Sequence, residues 1–323
     1  MEPNADKRQG ADSASWAAIA VLVAAIVVAE VRHPMAIALA GLANLALACV
    51  ALGAASIFYR RFRPNEKLAA SCSGLVQALV YSAAGSILSY LLARDGGTLW
   101  DPTLSSWDSA LGFDWLGYVR FIDAHAWLVL PYRLAYASLI PQIVVLILLL
   151  GFRGKLEMLR TFILAAILSG TIAIFASPFF PAVGNFAFRQ LHPGDFAHVW
   201  QWSQLADVRD FLAVRSGTMT MLDLRSMQGI IVFPSYHGAL AAISLWAFWK
   251  SKLRGLRWVG MLIAAMTLAA TPVDGGHYLV DVLAGIAIAA ASIAAARRLV
   301  FVRLPLPAIR ALPFRRSREA FAR

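Results

Sequence analysis

Charge is what this chain has least of. Only 15% of its 323 residues are Asp, Glu, Lys or Arg, where a soluble domain carries about 25%. The deficit runs through nearly the whole length, while 60% of the residues are hydrophobic and the mean hydropathy is +0.67. Such a composition excludes an ordinary soluble domain. It points to an all-α, polytopic membrane helix bundle, in which lipid faces most side chains. Cysteine is also scarce. Cys49 and Cys72 stand in or beside apolar runs without metal-ligand spacing, so neither a disulfide framework nor a thiolate metal site is indicated. No internal repeat, linker or low-complexity tract is present, so one membrane domain is expected.

Acidic residues number 18 against 29 Lys and Arg, a net charge of +11. In a soluble protein that balance would suggest nucleic acid. In a membrane protein basic residues collect in cytoplasmic loops, and no nucleic-acid partner is expected. A span needs about 20 mostly apolar residues, with about 17 tolerated. Eight segments qualify: 16–32, 35–59, 74–93, 126–151, 158–177, 230–249, 256–273 and 277–296. Of the 29 Lys and Arg, 21 fall in the two termini and one alternating set of loops, seven fall in the other set, and Arg133 lies within a span. This asymmetry puts both termini in the cytoplasm and the long connections 94–125 and 178–229 outside. Lys7 and Arg8 precede the first apolar run as in a secretory signal, but a second apolar run follows at once. The first span is therefore expected to be retained.

The connection WDPTLSSWDSALGFDW, Trp100 to Trp115, alternates aromatic residues with Asp101, Asp108 and Asp114. It reads as an amphipathic segment lying in the interface, with Trp at headgroup depth. The second connection, with Trp200 and Trp202, is expected to cap the outer face. In the run AGIAIAAASIAAA, Ala284 to Ala296, small residues allow helix backbones to approach closely in lipid. The Arg-rich tail with Arg315, Arg316 and Arg318 is expected to hold topology and to meet anionic lipid.

Ionisable groups inside spans are costly and are functional candidates. Arg133, His237, His277 and Asp281 all fall within about two turns of the outer surface on the 1.5 Å rise of a helix. In GGHYLVD, Gly275 to Asp281, the His and Asp are four apart at a helix start and so share a face. The carboxylate can hold one imidazole nitrogen and leave the other as a nucleophile or base, or the pair can simply tie down a helix end. In FPSYHGALA, Phe233 to Ala241, Pro234 suits a first helical turn. Ser235 and the free amides there offer an anion site, and His237 can donate a proton to a leaving oxygen. His33, His125, His192 and His198 lie in turns or outer connections and read as solvated.

PSYH followed some 40 residues later by HxxxD resembles the second and third motifs of the type 2 phosphatidic acid phosphatase superfamily. The GFDW stretch (Gly112 to Trp115), RLAYASLIPQ (Arg133 to Gln142) and FPAVG (Phe180 to Gly184) resemble its branch of inositol phosphorylceramide synthases and their bacterial relatives. The likeness covers roughly residues 70–296. It implies a six-helix catalytic domain over 70–300, preceded by a two-span extension (1–69) and followed by the basic tail (301–323). It further implies a lipid phosphatase or phosphotransferase whose phosphohistidine forms on His277, oriented by Asp281, with His237 as general acid. No cofactor or metal is needed, and the substrate is a phospholipid or sphingolipid. Localisation would be the bacterial inner membrane, with the site at the periplasmic face.

Several positions depart from that pattern. Thr271 stands where the phosphatases carry Arg, their Lys-x6-Arg-Pro motif is absent, and Tyr236 replaces Gly between Ser and His. The phosphate would then be held by Ser235, Tyr236 and Arg133, whose guanidinium can bind two phosphate oxygens. Arg189 and Arg225 are further candidates, and Arg133 could instead snorkel to headgroups. Two other readings use the same residues: a metal-dependent intramembrane hydrolase with two His and one carboxylate as ligands, and a non-enzymatic lipid transporter or scramblase.

Overall fold

The computed structural model describes residues 3–199, 202–252 and 255–301. The basic tail from 302 onward and Trp200 lie outside the described residues. The chain is a bundle of helices: α1 (Pro3–Arg32), α2 (Leu39–Arg61), α3 (Glu66–Ala93), α4 (Asp101–Ala110), α5 (Trp115–Ala124), α6 (Ala126–Ala137), α7 (Leu139–Phe152), α8 (Leu156–Ala176), α9 (Asn185–Phe188), α10 (Trp202–Arg215), α11 (Tyr236–Ser251), α12 (Leu256–Asp274) and α13 (Leu279–Phe301). Two short strands, β1 (Ala36–Ile37) and β2 (Met221–Leu222), pair in parallel. Among the described residues six helices are long and apolar enough to cross a membrane, or seven if α6 and α7 count as one span bent by 52°. The protein is an integral membrane helix bundle.

The bend has a local cause. Pro141 has no amide to give to the carbonyl of Ala137, and its ring crowds that carbonyl, so a helix running into it breaks there. The Ala135 carbonyl near the break is satisfied by Ser138 Oγ at 2.8 Å and Thr267 Oγ1 at 2.9 Å. Gln142 Nε2 adds a bond to Thr267 Oγ1 at 3.2 Å. This tie leads α6 onto α12, whereas α7 packs against α3, α8 and α11. The two halves of the broken span thus pack against different neighbours.

The sixth expected span, 230–249, is shorter than the sequence suggested. Ser235 caps α11 by accepting the Gly238 amide at 3.1 Å, so the helix starts at Tyr236 and has 16 residues. At 1.5 Å per residue it reaches about 24 Å, less than the roughly 30 Å hydrocarbon core. Pro234 correspondingly lies before the cap rather than within the first turn.

Loops sort to two ends, as the Lys and Arg alternation implied. At one end His33 Nε2 meets Asp95 Oδ1 at 2.6 Å, β1 pairs with β2, and the Trp100 amide donates to the Pro181 carbonyl at 2.7 Å. At the other, Arg160 Nε pairs with Asp12 Oδ1 at 3.3 Å, and Lys155 donates to the Ser251 carbonyl. The core between them joins Leu22, Leu88, Leu146, Leu164 and Ile243. Large apolar side chains such as Leu47, Trp127 and Trp258 point outward, as they do where lipid is the solvent.

Candidate active site

His277 and Asp281 meet as their spacing required. The imidazole Nδ1 lies 3.3 Å from Asp281 Oδ2, and the same oxygen accepts the Tyr278 amide at 2.9 Å. Both side chains are buried, Asp281 completely. With Nδ1 on the carboxylate, His277 presents Nε2 to the Ser235 hydroxyl at 3.3 Å. Ser235 is the point where the two motifs touch, because its amide also donates to the Asp281 carbonyl at 3.1 Å. His237, the second residue of α11, stacks on the Tyr136 ring with centroids 4.8 Å apart and planes 10° from parallel. That contact fixes its imidazole plane.

His237, His277, Tyr236 and Gly275 line one cavity of about 450 Å³, within the 300–1,000 Å³ common for small-molecule sites. Its walls come from α3 (Tyr81, Ser82, Ser86), the α6–α7 break (Tyr136, Ile140) and α10 (Asp207, Phe211). Ser82 and Ser86 of α3 and Ile140 of α7 line the cavity where α3 approaches the break.

The residues expected around the phosphate are divided. Ser235 sits behind His277 and is fully buried. The Tyr236 hydroxyl donates to the Ala166 carbonyl at 3.1 Å, and its ring fills the space left by Gly170. Tyr236 thereby pins α11 to α8 while one edge faces the cavity. Arg133 is exposed on α6 and interacts electrostatically with Asp274. It is not among the cavity's lining residues, nor is any other described Lys or Arg. Arg225 is exposed and paired with Asp223 at 2.6 Å. Arg189 reaches Asn185 Oδ1 at 3.1 Å and Ser105 Oγ at 3.3 Å. Among the described residues no group of three or more His, Cys, Asp and Glu is gathered to hold a metal ion.

The segment expected to lie in the interface does something else. Asp101 and Asp108 are 1% and 3% exposed, so they face inward rather than toward water. Asp101 accepts the Val183 amide at 3.1 Å, the Gly184 amide at 2.9 Å and the Tyr278 hydroxyl at 2.9 Å. Asp108 accepts the Leu279 and Val280 amides, each at 2.9 Å. It therefore caps α13, whose first amides would otherwise lack partners. Trp115 is buried and donates its indole N–H to the Pro272 carbonyl at 2.9 Å. Trp107 at 41% and Leu111 at 58% keep substantial exposure.

The FPAVG segment completes the clamp on His277. Asn185 donates its amide to the Gly276 carbonyl at 2.9 Å and its side-chain Nδ2 to the His277 carbonyl at 3.3 Å. Gly184 has φ of +85°, and a Cβ there would sit 3.1 Å from the Gly276 carbonyl oxygen. Only glycine suits both demands. The clamp was not read from the sequence. A signal existed, because Asp101 and Asp108 are seven apart and so share one helix face.

Asp101→Ala is expected to strand two amides and a tyrosine hydroxyl, at about 1–3 kcal/mol for each buried group. Thermal unfolding of the detergent-solubilised protein should show a marked fall in Tm. An unchanged Tm would mean the clamp does not hold the loop.

The motifs are thus gathered on one cavity, in the order PSYH then HxxxD. A sequence profile matches residues 102–295, more than half of the chain, from α4 of the clamp through most of α13. No curated protein and no solved structure matches the chain. The matched profile is that of the PAP2 superfamily, and the chain belongs to it.

Proposed function

We propose that this protein is a lipid phosphatase or phosphotransferase that works through a phosphohistidine on His277. Membership of the PAP2 superfamily suggests a phosphatase-type lipid phosphoesterase. The observation that carries the finer reading is the His277 imidazole, held at Nδ1 by Asp281 while its ring lines the cavity beside His237. Nε2 attacks phosphorus as the bond to the leaving oxygen breaks, and His237 gives that oxygen its proton. Water or an alcohol then attacks phosphorus, its proton passes to His237, and the P–N bond breaks. Asp281 holds the tautomer and stabilises the charge that forms on the ring. The Ser235 hydroxyl, 3.3 Å from Nε2, is within reach of a phosphoryl oxygen. Arg133 remains the cation proposed for phosphate, arriving from α6 when substrate is bound.

The substrate proposed is a phospholipid or sphingolipid whose chains lie in the cavity between α3 and the α6–α7 break. Transfer to an alcohol, as in the inositol phosphorylceramide synthase-like branch, is favoured by the missing phosphatase cations at Thr271 and in the first motif. The Lys and Arg bias supports both termini in the cytoplasm and the site at the outer, periplasmic face of a bacterial inner membrane. The test is to incubate purified protein with phospholipids and alcohol acceptors and to identify the products by mass. Lipid-dependent release or transfer of phosphate is expected, blocked by vanadate and insensitive to EDTA. Turnover that EDTA abolishes and a divalent cation restores would replace this reading with metal-dependent hydrolysis.

A further inference from the structure

The wall of the cavity facing α10 carries a group that the proposed reaction does not use. Asp207 lines the same cavity as His237 and His277, and its Oδ1 is buried with no hydrogen-bond partner. Its neighbour Asp210 is already engaged, accepting the Tyr90 hydroxyl at 3.2 Å and pairing with Arg209 at 3.3 Å. Arg209 itself is 78% exposed, and its contact is with Asp210. The cavity lining contains no Lys or Arg among the described residues, but four aromatic side chains, Tyr81, Tyr136, Tyr236 and Phe211, contribute to it. Asp207 lines this cavity together with Tyr136, whose ring stacks on His237. The carboxylate therefore faces the same cavity as both histidines.

We propose that Asp207 binds a positively charged amine on the substrate, so that the cavity selects zwitterionic phosphate esters with an ammonium a few bonds from phosphorus. This rests on the reading of the site as a phosphate-ester enzyme and names its substrate class. An ammonium meets two needs at once. It gives the unpaired carboxylate oxygen a charged donor, and it offsets the phosphate charge where no protein cation lines the wall. Aromatic faces around a carboxylate suit a cation. Burial, and after it the charge of Asp210, push the Asp207 carboxyl up to about 7, and a cationic partner would favour its charged form.

The test uses short-chain phosphatidylethanolamine, phosphatidylglycerol and phosphatidate with identical acyl chains. In Asp207→Asn, kcat/KM for the amine lipid should fall about tenfold or more, as for loss of a charge-assisted bond, while the other two stay within about twofold. Asp207→Glu should recover part of the preference. An equal fall on all three lipids, no fall on any, or a fall confined to the glycerol headgroup would overturn the proposal. Equilibrium binding to the His277→Ala protein, with and without Asp207→Asn, separates this from the catalytic reading. Should wild type turn over no lipid, the phosphohistidine proposal fails on its own. A binding preference for the amine lipid that Asp207→Asn removes would still establish the subsite, and equal binding of all three lipids would refute it.

Discussion

His277→Ala is expected to remove phosphate-ester turnover, by at least about 10⁴-fold in kcat, in a protein that still folds. The magnitude follows from the role: losing a covalent nucleophile removes the intermediate itself, and only binding and electrostatic effects remain. Folding should survive because the main-chain groups of the loop are held independently of the imidazole. Asn185 holds the Gly276 and His277 carbonyls, and Asp108 holds the Leu279 and Val280 amides. Asp281→Asn should cost less than His277→Ala but still about 10²–10⁴-fold, since an amide cannot stabilise the charged ring or fix its tautomer as a carboxylate does. His237→Ala should show a different pattern. Lipid substrates, whose alkoxide leaving groups need a proton, should suffer most, and aryl phosphates with acidic leaving groups should keep more activity. Single-turnover kinetics with an acid quench would capture the phosphoenzyme in wild type and its absence in His277→Ala. Near-normal turnover in His277→Ala would sink the nucleophile assignment outright.

What could be read from the sequence was what depends on near neighbours. His277 and Asp281 are four residues apart on one helix start, so their contact follows from helical geometry alone. The spans were legible for a similar reason, since hydropathy is a local sum and lipid demands it throughout. The break at Ser138 was also within reach, given Pro141, but the apolar run through it reads as one continuous span. The spacing of Asp101 and Asp108 marks a shared face but not its partners, because the clamp's bonds join residues 82 to 177 positions apart. An aspartate in an outer connection is by default a solvated residue, and only the packed fold turns Asp101 and Asp108 inward. Asp207 was hidden in the same way. Nothing in its neighbourhood along the chain marks it, and its meaning arises from α10 lying over a cavity whose other walls are α3, α6 and α11.

Gly285→Ala should be the most damaging single-methyl change in the bundle, for a reason that begins in the run of small residues in α13. The buried positions there, Asp281, Val282, Gly285, Ala289, Ser292 and Ala296, repeat every three or four residues and form one seam, and α13 packs mainly against α8 and α11. At Gly285 the seam is closest. An added Cβ would stand 2.3 Å from the Ser235 carbonyl oxygen and 3.0 Å from the Ala239 amide nitrogen. Both are backbone atoms of the first turn of α11, so no side chain can swing aside to make room. The turn itself must move, and it carries Ser235, His237 and the bond from the Ser235 amide to the Asp281 carbonyl. Overpacking of this kind costs about 1–3 kcal/mol, and a shift of about 1 Å at reacting groups costs about 10²-fold in rate. Tm should therefore fall and kcat should fall further than the lost stability accounts for. Gly53→Ala is the matched control, because nothing lies within 4 Å of a Cβ there and alanine favours a helix interior over glycine by about 1 kcal/mol. It should leave both quantities at or slightly above wild type. If Gly285→Ala behaved like Gly53→Ala, the two motifs would not meet across this seam, and the contact between Ser235 and His277 would lose its structural support.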